Sequence, residues 1–514
     1  MPAFRFGMAL VFLRIRLVYW DMTMKYCRLM FRCLLCVVTA AVGLVSCDDS
    51  ERFTTDRGAV LSFSSDSIQF DTVITTVGSS TRMLKVYNRN DRAVRITRAW
   101  LEQGEATPFR VNVDGVFLAP SSGASVAGLE LRGTDSLMVF AEVTVPERNQ
   151  NEPFELTDRL FFQLESGVVQ SVVLQAIGQD AYMWRGKVIR QDTTLQAGRP
   201  YVIYDSLAVE PGARLTLAAG VQLYFHDKAN LLVRGSLTAE GTLEAPVVMR
   251  GDRTDNLFDY LPYDNTPSRW GGVRLFAESF GNSLRYTDIH SASYGIQCDS
   301  SSVQDSKLVL ENSILHNIGG DGLKAVNCRI SVGNTQISNT LGNCVYLIGG
   351  SSEFVHCTLA QFYPWEAIRG QALYLSDNYF SASVPFQKAH FYNCLITGYA
   401  EDVILGSLNE EKQKYDYLFK NSLLNTPVVK DDPRYAGCVF EGEMEESHCI
   451  REKGFALFDT KNYWYDFAPD SCSVALQLAD TVYSRRYPFD RKGVSRFGDV
   501  RPAAGCYEYV PRKK

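Results

Sequence analysis

Basic residues are not in excess in this chain: 52 Lys and Arg against 58 Asp and Glu leave a formal charge of −6, with no Lys/Arg-rich run. That composition excludes a strongly basic nucleic-acid binder. Histidine is scarce. The six histidines lie at 226, 290, 316, 356, 390 and 448, and no two have HxxxH or HExxH spacing, so the linear sequence carries no zinc motif. GxSxG, a Walker loop and a Rossmann glycine pattern ahead of a helix are missing too, which removes the common hydrolase, NTPase and dinucleotide classes. Long amphipathic helical periodicity is almost absent. The uncharged apolar stretch 33–46 has 14 residues, too few to cross a bilayer as a helix.

What is present reads as β structure. Hydrophobic residues make up 46% of the 514-residue chain, with 29 Phe and 26 Tyr, enough for a large core and rich in strand formers. The length predicts two or three units. Lys25, Arg28 and Arg32 precede the stretch 33–46, which ends in Leu44-Val45-Ser46-Cys47. Its length suits a secretory h-region. The ending looks like a lipobox, in which a small residue precedes a cysteine that is acylated and becomes the first residue of the mature chain. The expectation is a signal peptide over 1–46, with translation starting at Met22 or Met24, lipidation at Cys47, and a polar linker over 47–57. Two or three acyl chains give stable membrane anchoring. Asp48 and Asp49 resemble the surface-export signal of lipoproteins in Bacteroides-type bacteria. The resemblance implies the outer membrane and the cell surface; under the enteric sorting rule Asp48 would instead mean inner-membrane retention, so the membrane face stays open.

Strand patterning begins after the linker. Leu137, Val139, Ala141, Val143 and Val145 alternate strictly, as do Val172, Leu174 and Ala176. A period of two means one buried face. Turn signals such as 120–123 and 146–153 punctuate these runs, which predicts a β-sandwich over 58–182, of the immunoglobulin-like type by the resemblance given next. The segments Phe70-Asp71-Thr72-Val73, 77–81, 84–88 and the closing Ala176-Ile177-Gly178 resemble the abnormal-spindle/Hydin type of domain. That resemblance implies a spacer or binding module.

The next region repeats. Tyr286-Thr-Asp-Ile, Asn312-Ser-Ile-Leu, Asn334-Thr-Gln-Ile, His356-Cys-Thr-Leu, Asn393-Cys-Leu-Ile and Asn421-Ser-Leu-Leu follow one another at steps of 26, 22, 22, 37 and 28 residues. A period near 22 with alternating apolar positions predicts one coil of a β-solenoid. Small residues at 287, 313, 335, 357, 394 and 422 are expected to form an inner ladder. The Asn positions are expected at bends, where the left-handed conformation is tolerated. Asn312, Asn334 and His356 should then stack about 4.8 Å apart, the spacing of paired strands. Upstream lie Val209-Glu-Pro-Gly212, Leu215-Thr-Leu217, Leu232 to Gly241 and Trp270-Gly271-Gly272-Val273. Downstream come Phe467-Ala-Pro469-Asp-Ser471, Asp490, Gly493, Arg496 and Gly505-Cys506-Tyr507-Glu508. The succession resembles right-handed parallel β-helix surface proteins and lipoproteins of Bacteroides-type bacteria. The fold class is therefore all-β: a sandwich, a pectate-lyase-like parallel β-helix over 186–430, and a closing segment over 431–514. In the resembled closing segment Pro usually follows the serine at 471 and Ala precedes the tyrosine at 507. Both departures here are cysteine, which implies a Cys472–Cys506 disulfide, with Cys438 and Cys449 as competing partners.

Candidate sites are few. Asp252, Asp255, Asp259 and Asp264 interleave with Phe258, Tyr260 and Tyr263, residue types that together can bind Ca²⁺ and a sugar; the spacing matches no defined metal loop, which favours a solvated insertion loop capping the stack. The aromatic insertion of Phe362, Tyr363, Trp365, Tyr374, Tyr379 and Phe380 offers either a stacking platform or packing over the solenoid flank. Gly319-Gly320-Asp321-Gly322 reads as a bend between coils. No catalytic residue is assigned, and Ca²⁺ is the one cofactor the residues suggest. The reading favoured is a membrane-anchored, non-catalytic surface protein that binds a glycan or an envelope protein, with no polysaccharide cleavage and no metal dependence. The alternative is a polysaccharide lyase or hydrolase working on the β-helix groove.

Overall fold

The computed structural model describes residues 52–511 except 259, 381, 410–414, 444–453 and 499. Cys47 and Asp259 lie outside the described residues. Among those described, the α-helix is the single turn Thr481–Ser484, and no helix is long and apolar enough to cross a membrane.

Two five-stranded sheets form the N-terminal sandwich. One runs in the order Leu61–Phe63, Arg82–Asn88, Ser136–Val143, Phe109–Val113, Val116–Phe117. The other runs Ser67–Ile74, Val169–Gln179, Phe154–Leu164, Val94–Leu101, Ser125–Leu131. Pairing is antiparallel except between Ser67–Ile74 and Val169–Gln179. Leu137, Val139, Ala141, Val143 and Val145 point inward, as do Val172, Leu174 and Ala176, so the period of two translates directly into the core.

From Tyr182 onward the chain coils into a parallel β-helix with three faces. Face A contains Gln222–Phe225, Val247–Gly251, Thr287–His290, Ile314–Ile318, Gln336–Thr340, Thr358–Gln361 and Leu395–Gly398. Face B contains Asn230–Val233, Val273–Leu275, Ile296–Cys298, Leu323–Val326, Val345–Ile348, Leu373–Ser376 and Ile404–Ser407. The strand Tyr201–Val209 serves both faces, joining them into one 18-stranded sheet. Face C is a nine-stranded sheet from Thr193–Leu195 to Tyr417–Lys420.

The corner from face C to face A carries the repeat. Tyr286, Asn312, Asn334, His356, Asn393 and Asn421 all sit there with φ between 42° and 56°. Asn is enriched because its short polar side chain tolerates this conformation. Asn334 donates from Nδ2 to Asn312 Oδ1 at 2.6 Å, linking adjacent coils. The next residue is the inner ladder. Ser313 and Thr335 donate their hydroxyls to the carbonyl two residues back, at 2.8 Å each. The Oγ of Ser313, Thr335 and Ser422 accepts the backbone N–H of Thr287, Ser313 and Cys394 respectively, each one coil earlier. A small residue able to hydrogen-bond is required there, which is why Thr, Ser and Cys alternate at fully buried positions. Inside face C, Phe354, Phe391 and Phe419 stack at 4.8 and 4.9 Å, close to the strand spacing. At Trp270-Gly271-Gly272 the ring stacks on Phe225 at 4.3 Å, and a Cβ on Gly271 would fall 1.9 Å from Asn230 Oδ1.

The C-terminal segment closes over face A and the corner ladder. Phe455, Phe467, Ala475, Ala504 and Tyr507 pack with Ala360, Phe362, Leu395 and Leu423 of the solenoid. The corner residues clamp it. Asn393 Nδ2 donates to Asp480 O at 2.9 Å and its Oδ1 accepts Asp480 N at 2.8 Å; Asn334 Nδ2 also donates to Phe489 O.

The expected Cys472–Cys506 disulfide is corrected. Cys506 is a free, fully buried thiol whose N–H donates to Thr358 Oγ1, wedged between the closing segment and face A. Burial pushes that thiol up to about 12. Cys472 lies exposed in a turn and is disulfide-bonded. Its partner falls outside the described residues, since every other cysteine within them is a free thiol. Residue 506 packs inward as a small apolar group, the role the usual alanine would have.

Candidate functional site

Face A changes character along its length. Its outward ladder runs Tyr224, Arg250, His290, His316, Ser338, Ala360. The apolar end is covered by the closing segment; the charged end is overhung by the insertion 252–268, which leaves the solenoid after Val247–Gly251. This insertion contains the antiparallel pair Asn256–Phe258 and Leu261–Pro262 and the turn Tyr263–Asn265.

The aspartates of the insertion do not converge. Asp252 lies 2.7 Å from His226 Nδ1, and Asp255 takes both arms of Arg253 at 2.9 and 2.7 Å. Thr254 Oγ1 donates to Thr72 O of the sandwich, so residues 252–255 join the junction between the two domains, beside the apolar contact of Ile74 with Val202 and Tyr224. Asp255 lines the cleft there with Asp71, Arg82 and Asp252. Burial opposes its charge, but Arg253 and a hydrogen bond from Ser80 hold its carboxyl below the usual range. The tip of the insertion turns back over face A. Tyr263 carries Arg253 and Arg269 over its ring, 4.3 and 4.5 Å from its centroid, and is thereby committed to cation–π contacts.

Asp264 is the member that reaches face A. It pairs with Arg250 at 2.5 Å and lies 3.3 Å from His290 Nε2. On the other side of the ring, His290 Nδ1 lies 2.9 Å from Asp288 Oδ1, and His316 Nε2 is 3.3 Å from the same oxygen. The two imidazoles are 4.8 Å apart. Trp270 Nε1 donates to His290 O at 2.8 Å and fixes the strand. Burial works against charge on His290, but Asp288 and Asp264 outweigh it and hold its proton up to about 9. Burial likewise opposes ionisation of Asp288, yet the two histidines keep its carboxyl well below the usual range. Asp264 is held down by His290 and Arg250 against the same penalty. Two carboxylates, two histidines and one arginine thus meet on one solenoid face. Sequence spacing missed Asp288, His290, His316 and Arg250, because 290 and 316 are neighbours only through the coil register.

Next to His316 opens a groove of ≈190 Å³. Its floor is His316, Asn317, Gln336, Ser338 and Asn339; its wall is Tyr463, Trp464, Tyr465 and Phe467 from the hairpin Phe455–Asp459 and Trp464–Pro469; Asn265 joins it from the insertion. Asn317 and Asn339 both have left-handed backbones, which turn their amides into the groove line. Asn339 is 4% exposed, and its Oδ1 accepts no hydrogen bond among the described residues. Tyr463, at the hairpin turn, lies 4.4 Å from Trp365 and 6.5 Å from Tyr260, so two of the aromatics singled out from sequence flank the groove's outer edge. Phe362 and Tyr363 are core instead, and Phe380 is exposed elsewhere. Asp321 accepts Asn343 N at 2.8 Å, a bend between coils.

No protein-family model matches the chain. An 80-residue stretch is 35% identical to "Protein bark beetle" of Drosophila melanogaster, covering 15% of this chain and 3% of that protein's length. Among solved structures, the family 28 exopolygalacturonase of Yersinia enterocolitica aligns over 69% of this chain and 88% of its own, at 9% identity and a TM-score of 0.26. An ASH/PapD-like domain of human CEP192 aligns over 24% and 87%, at 14% identity and a TM-score of 0.17. The fold of this chain stands on its own strand pairings.

Proposed function

We propose that this chain is an exported, lipid-anchored surface protein that binds a polysaccharide in the groove on face A, with the sandwich as its spacer from the membrane. The observation that carries the binding reading is the groove itself: amides and hydroxyls on the floor, aromatic rings on the wall, and Trp464 half-exposed at its edge. Carbohydrates present hydroxyls in one plane and apolar C–H faces in the other, and such a floor and wall match both. The anchor is supported by the stretch 33–46 and Leu44-Val45-Ser46-Cys47.

Binding without cleavage is favoured over hydrolysis. Glycoside hydrolysis requires one of two carboxyl groups to be protonated. Asp264 and Asp288 are both held ionised by the cations around them. A panel of soluble polysaccharides, assayed for retention and for product release, tests this. Retention of at least one polysaccharide without new reducing ends or unsaturated sugars is expected. Release of oligosaccharides, or no retention across the panel, would overturn it. For the anchor, mass spectrometry should find an acylated Cys47 as the mature N-terminus; an unmodified residue elsewhere would contradict it.

A further inference from the structure

We propose that Asp288, His290 and His316 form a binding site for a divalent transition metal, best suited to Zn²⁺, with Asp264 as the carboxylate that orients His290. The three ligand atoms lie within 4.8 Å of one another, with 2.9 and 3.3 Å for the two pairs that share Asp288 Oδ1. A tetrahedral ion with bonds of about 2.0–2.1 Å needs its ligands roughly 3.3 Å apart. The two Asp288 pairs already lie near that spacing, and the two imidazole nitrogens, within 4.8 Å of each other, would close by up to about 1.5 Å on binding. Two imidazoles and one carboxylate are the donor set of open, three-ligand metal sites.

The surroundings match such a site on three counts. A metal-binding histidine characteristically donates its second ring N–H to a carboxylate. Asp264 Oδ2 stands 3.3 Å from His290 Nε2, so that nitrogen can keep its proton while Nδ1, which faces Asp288 at 2.9 Å, gives up its own to the metal. The backbone is rigid: both histidines lie on adjacent paired strands, and Trp270 fixes the carbonyl of His290. The side chains are enclosed without being sealed, with relative exposures of 26%, 10% and 23% for Asp288, His290 and His316. The fourth position is then left for water or a ligand oxygen, and it adjoins the groove because His316 belongs to both. The charge balance also permits it. Asp264 and Asp288 carry two negative charges against one on Arg250, so a divalent ion replaces protons without creating a strongly cationic centre.

The test uses the mature chain, stripped with chelator and dialysed against Zn²⁺, with metal counted by plasma mass spectrometry. One equivalent per chain is expected, lost in His290→Ala and in His316→Ala. Asp264→Asn should retain the site with about 10–100-fold weaker affinity. Failure to bind a stoichiometric ion at micromolar Zn²⁺, or one equivalent that survives both histidine substitutions, would overturn the proposal. Because a substitution in a β-helix face can impair folding, Cu²⁺ is also added to the unsubstituted protein and read by paramagnetic resonance. Coupling to two imidazole nitrogens supports the site, and coupling to none or one contradicts it. These readouts need no glycan, so they stand or fall separately from polysaccharide binding.

Discussion

Single residues at the corner ladder do two tasks at once, and His356 shows it most clearly. It occupies an Asn position in the repeat with φ 52° and is fully buried beneath the closing segment. Its Nδ1 must carry the proton, since it faces the carbonyl of Gly505 at 3.1 Å; Nε2 then accepts from Asn393 Nδ2 at 3.0 Å. Burial, with the Arg496 charge second, pushes its pKa well below the ordinary value. The unfolded chain takes up a proton near pH 6.5 that the fold refuses, so His356 should subtract stability as pH falls below about 6.5, by up to ~1.4 kcal/mol per pH unit. In His356→Asn, urea midpoints should fall less between pH 6.5 and 5 than in the unsubstituted protein; an equal fall would contradict the neutral assignment. Arg496 is the opposite case, a fully buried charge held by Glu508, by Asn334 Oδ1 at 2.6 Å and by Gly505 O through its two terminal nitrogens, with Nε unpaired among the described residues. Arg496→Met strands Glu508 and should cost about 3–5 kcal/mol. Adding Glu508→Gln should recover much of that in equilibrium unfolding.

Elements were legible in the sequence where a local rule repeats. The sandwich alternation and the Asn corners each impose one requirement on one position, and the chain meets it every two residues or once per coil. What escaped is whatever depends on register. His290 sits over His316 because Thr287–His290 pairs with Ile314–Ile318, and no linear spacing motif encodes that. Tyr286 and Asn312 share one phase of the repeat, so counting four residues on from each would have placed the two histidines together. Asp252, Asp255 and Asp264 look like a cluster in sequence, but the insertion sends the first two to the sandwich and the third to face A. Cys506 misled for a related reason, since inward packing, not pairing, decides that position. The C-terminal hairpin over face A depends on Phe362, which meets Phe455, Phe458 and Phe467 at 6.2, 4.8 and 5.9 Å. Phe362→Ala should cost about 3–5 kcal/mol locally. Hydrogen exchange should quicken across 455–469 while the sandwich strands keep their protection; uniform change would mean that the hairpin is not an independently held lid on the solenoid.

At the scale of the whole molecule, the sandwich and solenoid meet through residues 252–255 and the apolar contact of Ile74 with Val202 and Tyr224, and the groove lies on face A, where insertion and closing segment approach each other. Asn265 and two separated stretches, 316–339 and 463–467, build it, and none is informative alone. A sandwich, a solenoid and a grooved face are what the proposed reading requires of a protein that holds a polymer near a membrane surface. The polysaccharide that the panel identifies, titrated against the unsubstituted protein, Trp464→Ala and Tyr463→Ala, tests this most directly. Stacking residues at a binding site carry on the order of 2 kcal/mol each, about 30-fold in affinity. Each substitution should weaken binding at least tenfold while leaving the thermal midpoint within a few degrees, and Trp100→Ala on the sandwich should leave affinity unchanged. Unaltered affinity in both groove variants would place the binding surface elsewhere and contradict the account.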